Sequence, residues 1–217
     1  MEKILPVLYH TQRNNTLFPY STCMTTSFAM AYSFFNLQFK EDDEVFRLLN
    51  SKEFIEYYLK NTKLNQSWLK RQFLRFRRLA GKITKYTYLN NLFDSMCFFT
   101  KWITFGKIKA EEKFMNFEEI KNEIDNNRPV IFTTNFTKSG HICLIVGYEE
   151  LNQNYLCFHD PYGDYKNKYE GYDGQTRGAN CLIEFNRFVN GLNNGEPYPE
   201  QGWKTKDGKI LCVKFIK

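Results

Sequence analysis

The chain lacks what several protein classes require. It has no uninterrupted apolar run of about 18 residues, which argues against a transmembrane helix. Its first residues, MEKILPVLYHTQ, carry a short apolar run and no small-residue cleavage site, so they do not read as a secretory signal. The expected compartment is the cytoplasm, or the outside by a route the sequence does not show. Histidine is scarce: only His10, His141 and His159 occur, so any imidazole chemistry rests on those three. The six cysteines, at 23, 97, 143, 157, 181 and 212, are too few and too scattered for a disulfide scaffold. Most read as buried free thiols. There is no internal repeat, no low-complexity linker and no nucleic-acid-binding motif.

What is present points to one domain over residues 1–217, long enough to bury its own core. Aromatics are abundant, with 21 Phe and 14 Tyr, and predict a bulky interior. The net charge of +6 is unevenly spread. From Lys60 to Asn90 there are nine Lys or Arg and no Asp or Glu. Within it, Leu69, Phe73, Phe76 and Ala80 share one helical spacing, and Arg71, Arg75, Arg78 and Lys82 share another, predicting a helix over Gln66–Ala80. Its basic face fits either plain solvation or an anionic partner at the 60–90 region.

The order of elements is helices first, strands second, which predicts an α+β fold. Thr22 or Ser21 is placed to cap a helix from Cys23 to Phe35 that is apolar over most of its surface and therefore buried. A thiol in its first turn feels the positive end of the helix dipole, the setting of a cysteine nucleophile. A purely structural cysteine fits the same stretch. Further helices are expected over Val45–Lys60, with Asn50 and Glu53 as an internal capping box, and over Asn116–Asp125, capped by Asn116 and Glu119 with Met115 and Ile120 as a staple. Ile4–Tyr9, Val130–Asn135, His141–Tyr148, Tyr155–His159, Cys181–Phe185 and Ile210–Ile216 read as strands. Phe188–Leu192 reads as a helical turn, and Pro161–Gly178 as ordered loop.

A cysteine nucleophile needs a base, and the base needs an orienting acceptor. His141 opens the best strand, and Asp160 ends its partner. A hairpin turning near residue 150 or 151 would set the two opposite one another. Gln12 lies upstream, where a side-chain amide commonly supplies an oxyanion donor beside the Cys23 backbone N–H. A competing pattern is His141-Ile142-Cys143 with Cys157-Phe158-His159, two pairs that fit zinc if all four converge.

These residues resemble the peptidase C39-like group of papain-fold cysteine peptidases. The resemblance lies in Thr11-Gln12-Arg13-Asn14-Asn15, Ser21-Thr22-Cys23 with Thr26-Ser27-Phe28-Ala29-Met30, Arg128-Pro129-Val130-Ile131, Gly140-His141, Ile145-Val146-Gly147-Tyr148 and His159-Asp160-Pro161-Tyr162-Gly163. It implies a papain-like fold, with the cysteine-bearing helix packed on an antiparallel sheet. It implies Cys23 as nucleophile, His141 as base, Asp160 as its orienter and Gln12 as oxyanion donor, with no cofactor or metal. The implied substrate is a peptide, a protein or a peptidoglycan peptide. Met24 stands where transporter-linked relatives carry glycine, so the chain looks more like the stand-alone bacterial and phage type. Residues 38–115 match none of these motifs and read as a mainly helical, basic insert. An amidase or transferase with the same triad, and a non-catalytic papain-fold binding module using the 60–90 face, are the alternatives.

Overall fold

The computed structural model describes residues 2–39, 43–62, 92–134, 136, 140–167, 171–172, 177–189, 192–193, 196–197 and 208–217. The expected basic helix at 66–80 and most of the 60–90 stretch lie outside the described residues. The strands are β1 (Glu2–Ile4), β2 (Lys109–Met115), β3 (Val130–Thr134), β4 (His141–Glu150), β5 (Asn154–His159), β6 (Tyr165–Asn167), β7 (Gly171–Tyr172), β8 (Cys181–Glu184), β9 (Leu192–Asn193), β10 (Glu196–Pro197) and β11 (Ile210–Ile216). The helices are α1 (Cys23–Phe34), α2 (Glu44–Leu49), α3 (Lys52–Asn61), α4 (Leu92–Ile103), α5 (Phe117–Asp125) and α6 (Phe185–Val189). A seven-stranded antiparallel sheet runs β2-β11-β3-β4-β5-β8, with β1 added against the far half of β4. The architecture is α+β, as the order of elements predicts.

Strand alternation sorts the helices onto two faces. Cys212 pairs with Phe132, and Phe132 with Cys143, so these three share one face and Phe215 takes the other. On the Phe215 face, Phe28, Tyr32 and Phe35 of the α1 segment meet the Phe215 ring, and Phe99 of α4 and Phe54 of α3 extend the cluster. Each fully buried ring, Phe28, Tyr32, Phe54, Phe99 and Phe215, stabilises the fold by roughly 1.5–3 kcal/mol, with about 0.5–1.5 more per well-oriented pair. Tyr32 keeps its hydroxyl satisfied at 2.7 Å from Thr100 Oγ1, which in turn donates to Met96 O. On the opposite face, Phe117 of α5 packs against Tyr148, and Phe188 of α6 against Phe132.

α1 is buried without a break from Met24 to Tyr32, as its apolar sequence requires. α5 begins with the expected capping box: Asn116 accepts from Glu119 N, and Glu119 returns to Asn116 N. Two local expectations are corrected. Ser51, not Asn50, caps α3, its hydroxyl accepting from Phe54 N, while Asn50 ends α2. The helical turn near 188 starts three residues earlier, at Phe185. Within the 38–115 region, 109–115 form β2, which pairs with β11 along its whole length. β2 is an edge strand with Glu111, Glu112 and Lys113 mostly exposed, so it lacks the apolar alternation that marks a half-buried strand.

The β4–β5 register also differs from a regular hairpin. Glu150 pairs with Asn154 across a three-residue turn, and a bulge between Ile145 and Gly147 shifts the ladder by one. Gly147 sits where β1 crosses: a Cβ there would lie 2.4 Å from Lys3 O, so only glycine lets β1 close on the bulge.

Candidate active site

The site lies at one end of the sheet, where β3 ends at Thr134, β4 begins at His141 and β5 ends at His159. Continuing the ladder one residue past His159 sets Asp160 across from Cys143, not across from His141. The hairpin turn is centred on Asn152, which alone would set Asp160 across from Leu144, and the bulge returns it by one residue to Cys143. His141 and Cys143, two apart, share a strand face, so His141 reaches Asp160 diagonally. The contact is close: His141 Nε2 lies 2.7 Å from Asp160 Oδ1. Both groups are sealed, His141 at 5 % and Asp160 at 0 % exposure.

Burial works to lower the His141 pKa. Asp160 and Cys143, through charge and hydrogen bonding, together outweigh it, and His141 is held well above its ordinary value, as imidazolium near neutral pH. Cys143 adds a third group, and its sulfur, a His141 nitrogen and an Asp160 oxygen lie within 4.8 Å of one another. Burial and the Asp160 charge push the Cys143 thiol well above the usual range.

Asp160 is clamped from several sides. Tyr162 N donates to its Oδ1 at 2.8 Å, Tyr9 Oη donates to its carbonyl at 3.0 Å, and its own N–H donates to Gly178 O at 2.7 Å. Gly178 N donates to Tyr9 Oη. A Cβ on Gly178 would lie 2.1 Å from Asp160 O, so glycine is required for this approach. Tyr9 and Gly178 were invisible to motif reasoning because each acts through a tertiary contact, not a local spacing, and Cys143 was marked only within the two-pair zinc pattern.

The segment before α1 is strapped to the same loop. Gln12 N and Thr11 Oγ1 both donate to Pro161 O, and Arg13 Nε donates to Tyr162 O while its guanidinium stacks 4.3 Å over the Tyr162 ring. Gln12 is 2 % exposed; its Nε2 donates to Pro19 O at 2.8 Å, and its Oε1 has no donor among the described residues. At the other end of this segment, Asp43 accepts from Thr16 Oγ1 and Leu17 N and pairs with Arg47. Burial opposes ionisation of Asp43, but these partners together hold its pKa below the ordinary carboxylate value.

Thr22 occupies the cap position of α1 but does not cap it through its side chain. Its hydroxyl instead donates to Phe18 O and accepts from Asn15 Nδ2, which also reaches Thr26 Oγ1. The helix start is thus fixed by a side-chain network in the preceding loop. Ser27 Oγ donates to Ile142 O at 3.1 Å, pinning α1 beside the residue after His141. Cys23 is one turn before Ser27 on the same helical stripe, half-buried, and close enough for its charge to act on Cys143. Among the described residues no hydrogen bond to the Cys23 thiol is formed.

The four-ligand zinc arrangement is not assembled. His159 Nδ1 accepts from Asn180 N at 3.1 Å, so its Nε2 carries the proton and donates to Val7 O at 3.0 Å. Burial lowers its pKa further, leaving a neutral structural imidazole with both nitrogens used. The bulge also places Cys157 across from Gly147, away from Cys143.

No helix among the described residues is long and apolar enough to cross a membrane. No curated protein matches the chain significantly. The sequence pattern of the Peptidase_C39 like family matches residues 4–187, the span that holds Gln12, Cys23, His141 and Asp160, and the α+β sheet is consistent with a papain-like fold. On that match the chain belongs to the Peptidase_C39 like family, which makes it a relative of cysteine peptidases acting on peptide or protein substrates.

Proposed function

We propose that this chain is a cysteine peptidase that cleaves an amide bond through Cys23, His141 and Asp160. The observation that carries the reading is the buried 2.7 Å His141–Asp160 pair at the sheet end where α1 docks. His141 commits Nε2 to Asp160, so proton exchange with the thiol falls to Nδ1. Cys143 is the wrong nucleophile despite its closeness, being fully buried and strongly disfavoured as a thiolate.

The Cys23 thiolate attacks the substrate carbonyl carbon, forming the S–C bond. The oxyanion is met by the Cys23 backbone N–H and by the second N–H of Gln12 Nε2, whose first is held by Pro19 O. His141 gives its proton to the leaving nitrogen as the C–N bond breaks. Water then attacks the thioester, its proton passing to His141, and the S–C bond breaks to release the acid. The Asp160 carboxylate orients the ring and balances its charge throughout. The Pro161–Tyr162 strap fixes Gln12 relative to Asp160, holding donor and base in one frame.

The experiment is turnover of an unfolded protein and of peptidoglycan, following newly formed amino groups. The wild type releases them from one of these, and Cys23→Ala does not. Hydrolysis retained in Cys23→Ala would overturn the mechanism, and the substrate that turns over separates a protein peptidase from a cell-wall one.

A further inference from the structure

Cys143 has no task in acyl transfer, yet it is enclosed with the two groups that do. We propose that His141, Cys143 and Asp160 form a site for a thiophilic divalent cation, zinc being the type case, whose binding disables the His141–Asp160 pair.

Sulfur, imidazole nitrogen and carboxylate oxygen are the three donor types zinc takes. Here one of each lies within 4.8 Å of the others, and all three residues are buried. The backbone pre-arranges them: β4 presents His141 and Cys143 two apart on one face, and the ladder brings Asp160 across from Cys143. Charge also favours the assembly. A thiolate, a carboxylate and a neutral imidazole sum to two negative charges, which a divalent cation cancels, so the filled site buries no net charge. Binding sends one proton from the Cys143 thiol and one from the His141 imidazolium to solvent.

The cation would take the place of the proton that His141 and Asp160 share at 2.7 Å. Metal bonds of about 2.0 Å at tetrahedral angles need the two ligand atoms about 3.3 Å apart, a displacement small side-chain rotations supply. With both groups on the metal, the imidazole no longer exchanges a proton with Cys23. The fourth position goes to water or to the Cys23 thiolate. The pairing differs from the sequence pattern of two His/Cys pairs, because His159 is locked by Val7 and Asn180. It stands whether or not the chain hydrolyses peptides, since it concerns only the ligands.

The test is cobalt titration of chelator-treated protein, read by the thiolate-to-cobalt charge-transfer band and tetrahedral visible bands. The wild type develops both at one equivalent, and Cys143→Ser loses the charge-transfer band. A band merely weakened in Cys23→Ser makes Cys23 the fourth ligand and supports the site, as does an unchanged one. A band absent from the wild type, unchanged in Cys143→Ser or abolished in Cys23→Ser overturns it. Should Cys143→Ser fail to fold, zinc added to the wild type decides: the ring signals of His141 shift while those of His10 and His159 stay, and an unmoved His141 refutes the site. Neither readout depends on turnover, so loss of this proposal and loss of the peptidase reading are told apart.

Discussion

Iodoacetamide applied near pH 7.5 ranks the six thiols, and the structure sets the scale of the ranking. Burial pushes Cys97 and Cys157 up to about 12, and lifts Cys143, Cys181 and Cys212 as well. At that pH a thiol of pKa 12 is about 1 part in 30,000 thiolate, against about 1 in 10 for an ordinary one near 8.5. The more basic thiolate is the better nucleophile, and a Brønsted slope of roughly 0.45 returns some 1.6 of the 3.5 lost decades. Cys97 and Cys157 should therefore react about 100-fold more slowly than an ordinary exposed cysteine, and Cys143, Cys181 and Cys212 are slowed in the same direction, further still where access is closed. Timed alkylation followed by peptide mass analysis reads each site. The outcome expected is modification at Cys23 with the other five nearly untouched in the folded protein and all six modified after unfolding. Labelling of Cys97 or Cys181 as fast as Cys23 would refute the reasoning.

Further perturbations probe the same frame. Asp160→Asn removes the largest of the influences that raise His141 against burial, so its pKa should fall. A raised histidine stabilises the fold fully below about 6.5 and loses that contribution as pH climbs through the folded value. The variant should therefore be less stable by about 3 kcal/mol at pH 6 and by less at pH 9, with chelator present; an equal gap in denaturant titrations at both values would contradict the assignment. Gly178→Ala should cut kcat by about 100-fold by displacing Asp160, with the far-ultraviolet spectrum kept. Gln12→Ala should lower kcat by about 100- to 1000-fold while leaving Cys23 alkylation unchanged, and an unaltered kcat would remove Gln12 from the oxyanion site.

The residues that make up the candidate site were legible because their signals are local. Cys23 follows a polar loop and opens an apolar helix. His141 and Asp160 bracket a hairpin, and Asn116 with Glu119 spell a cap. Register was not legible, because the turn centres on Asn152 within a polar run of similar residues, and the bulge between Ile145 and Gly147, where β1 crosses, leaves no mark in the β4 alternation. The turn, not the bulge, carries Asp160 past His141 to Leu144, and the bulge returns it by one to Cys143, which completes the three-donor group. Thr22 was readable as a cap by type, but tertiary partners at Asn15 and Phe18 claim its hydroxyl. β2 escaped notice because an exposed edge strand has no apolar period to read.

The central claim, that Cys23 carries the acyl group, is tested most directly by quenching turnover in acid and weighing the protein. A thioester on Cys23, formed in the wild type and absent in Cys23→Ala, is the result predicted. Turnover with the acyl group on another cysteine, or persisting in Cys23→Ala, would contradict it.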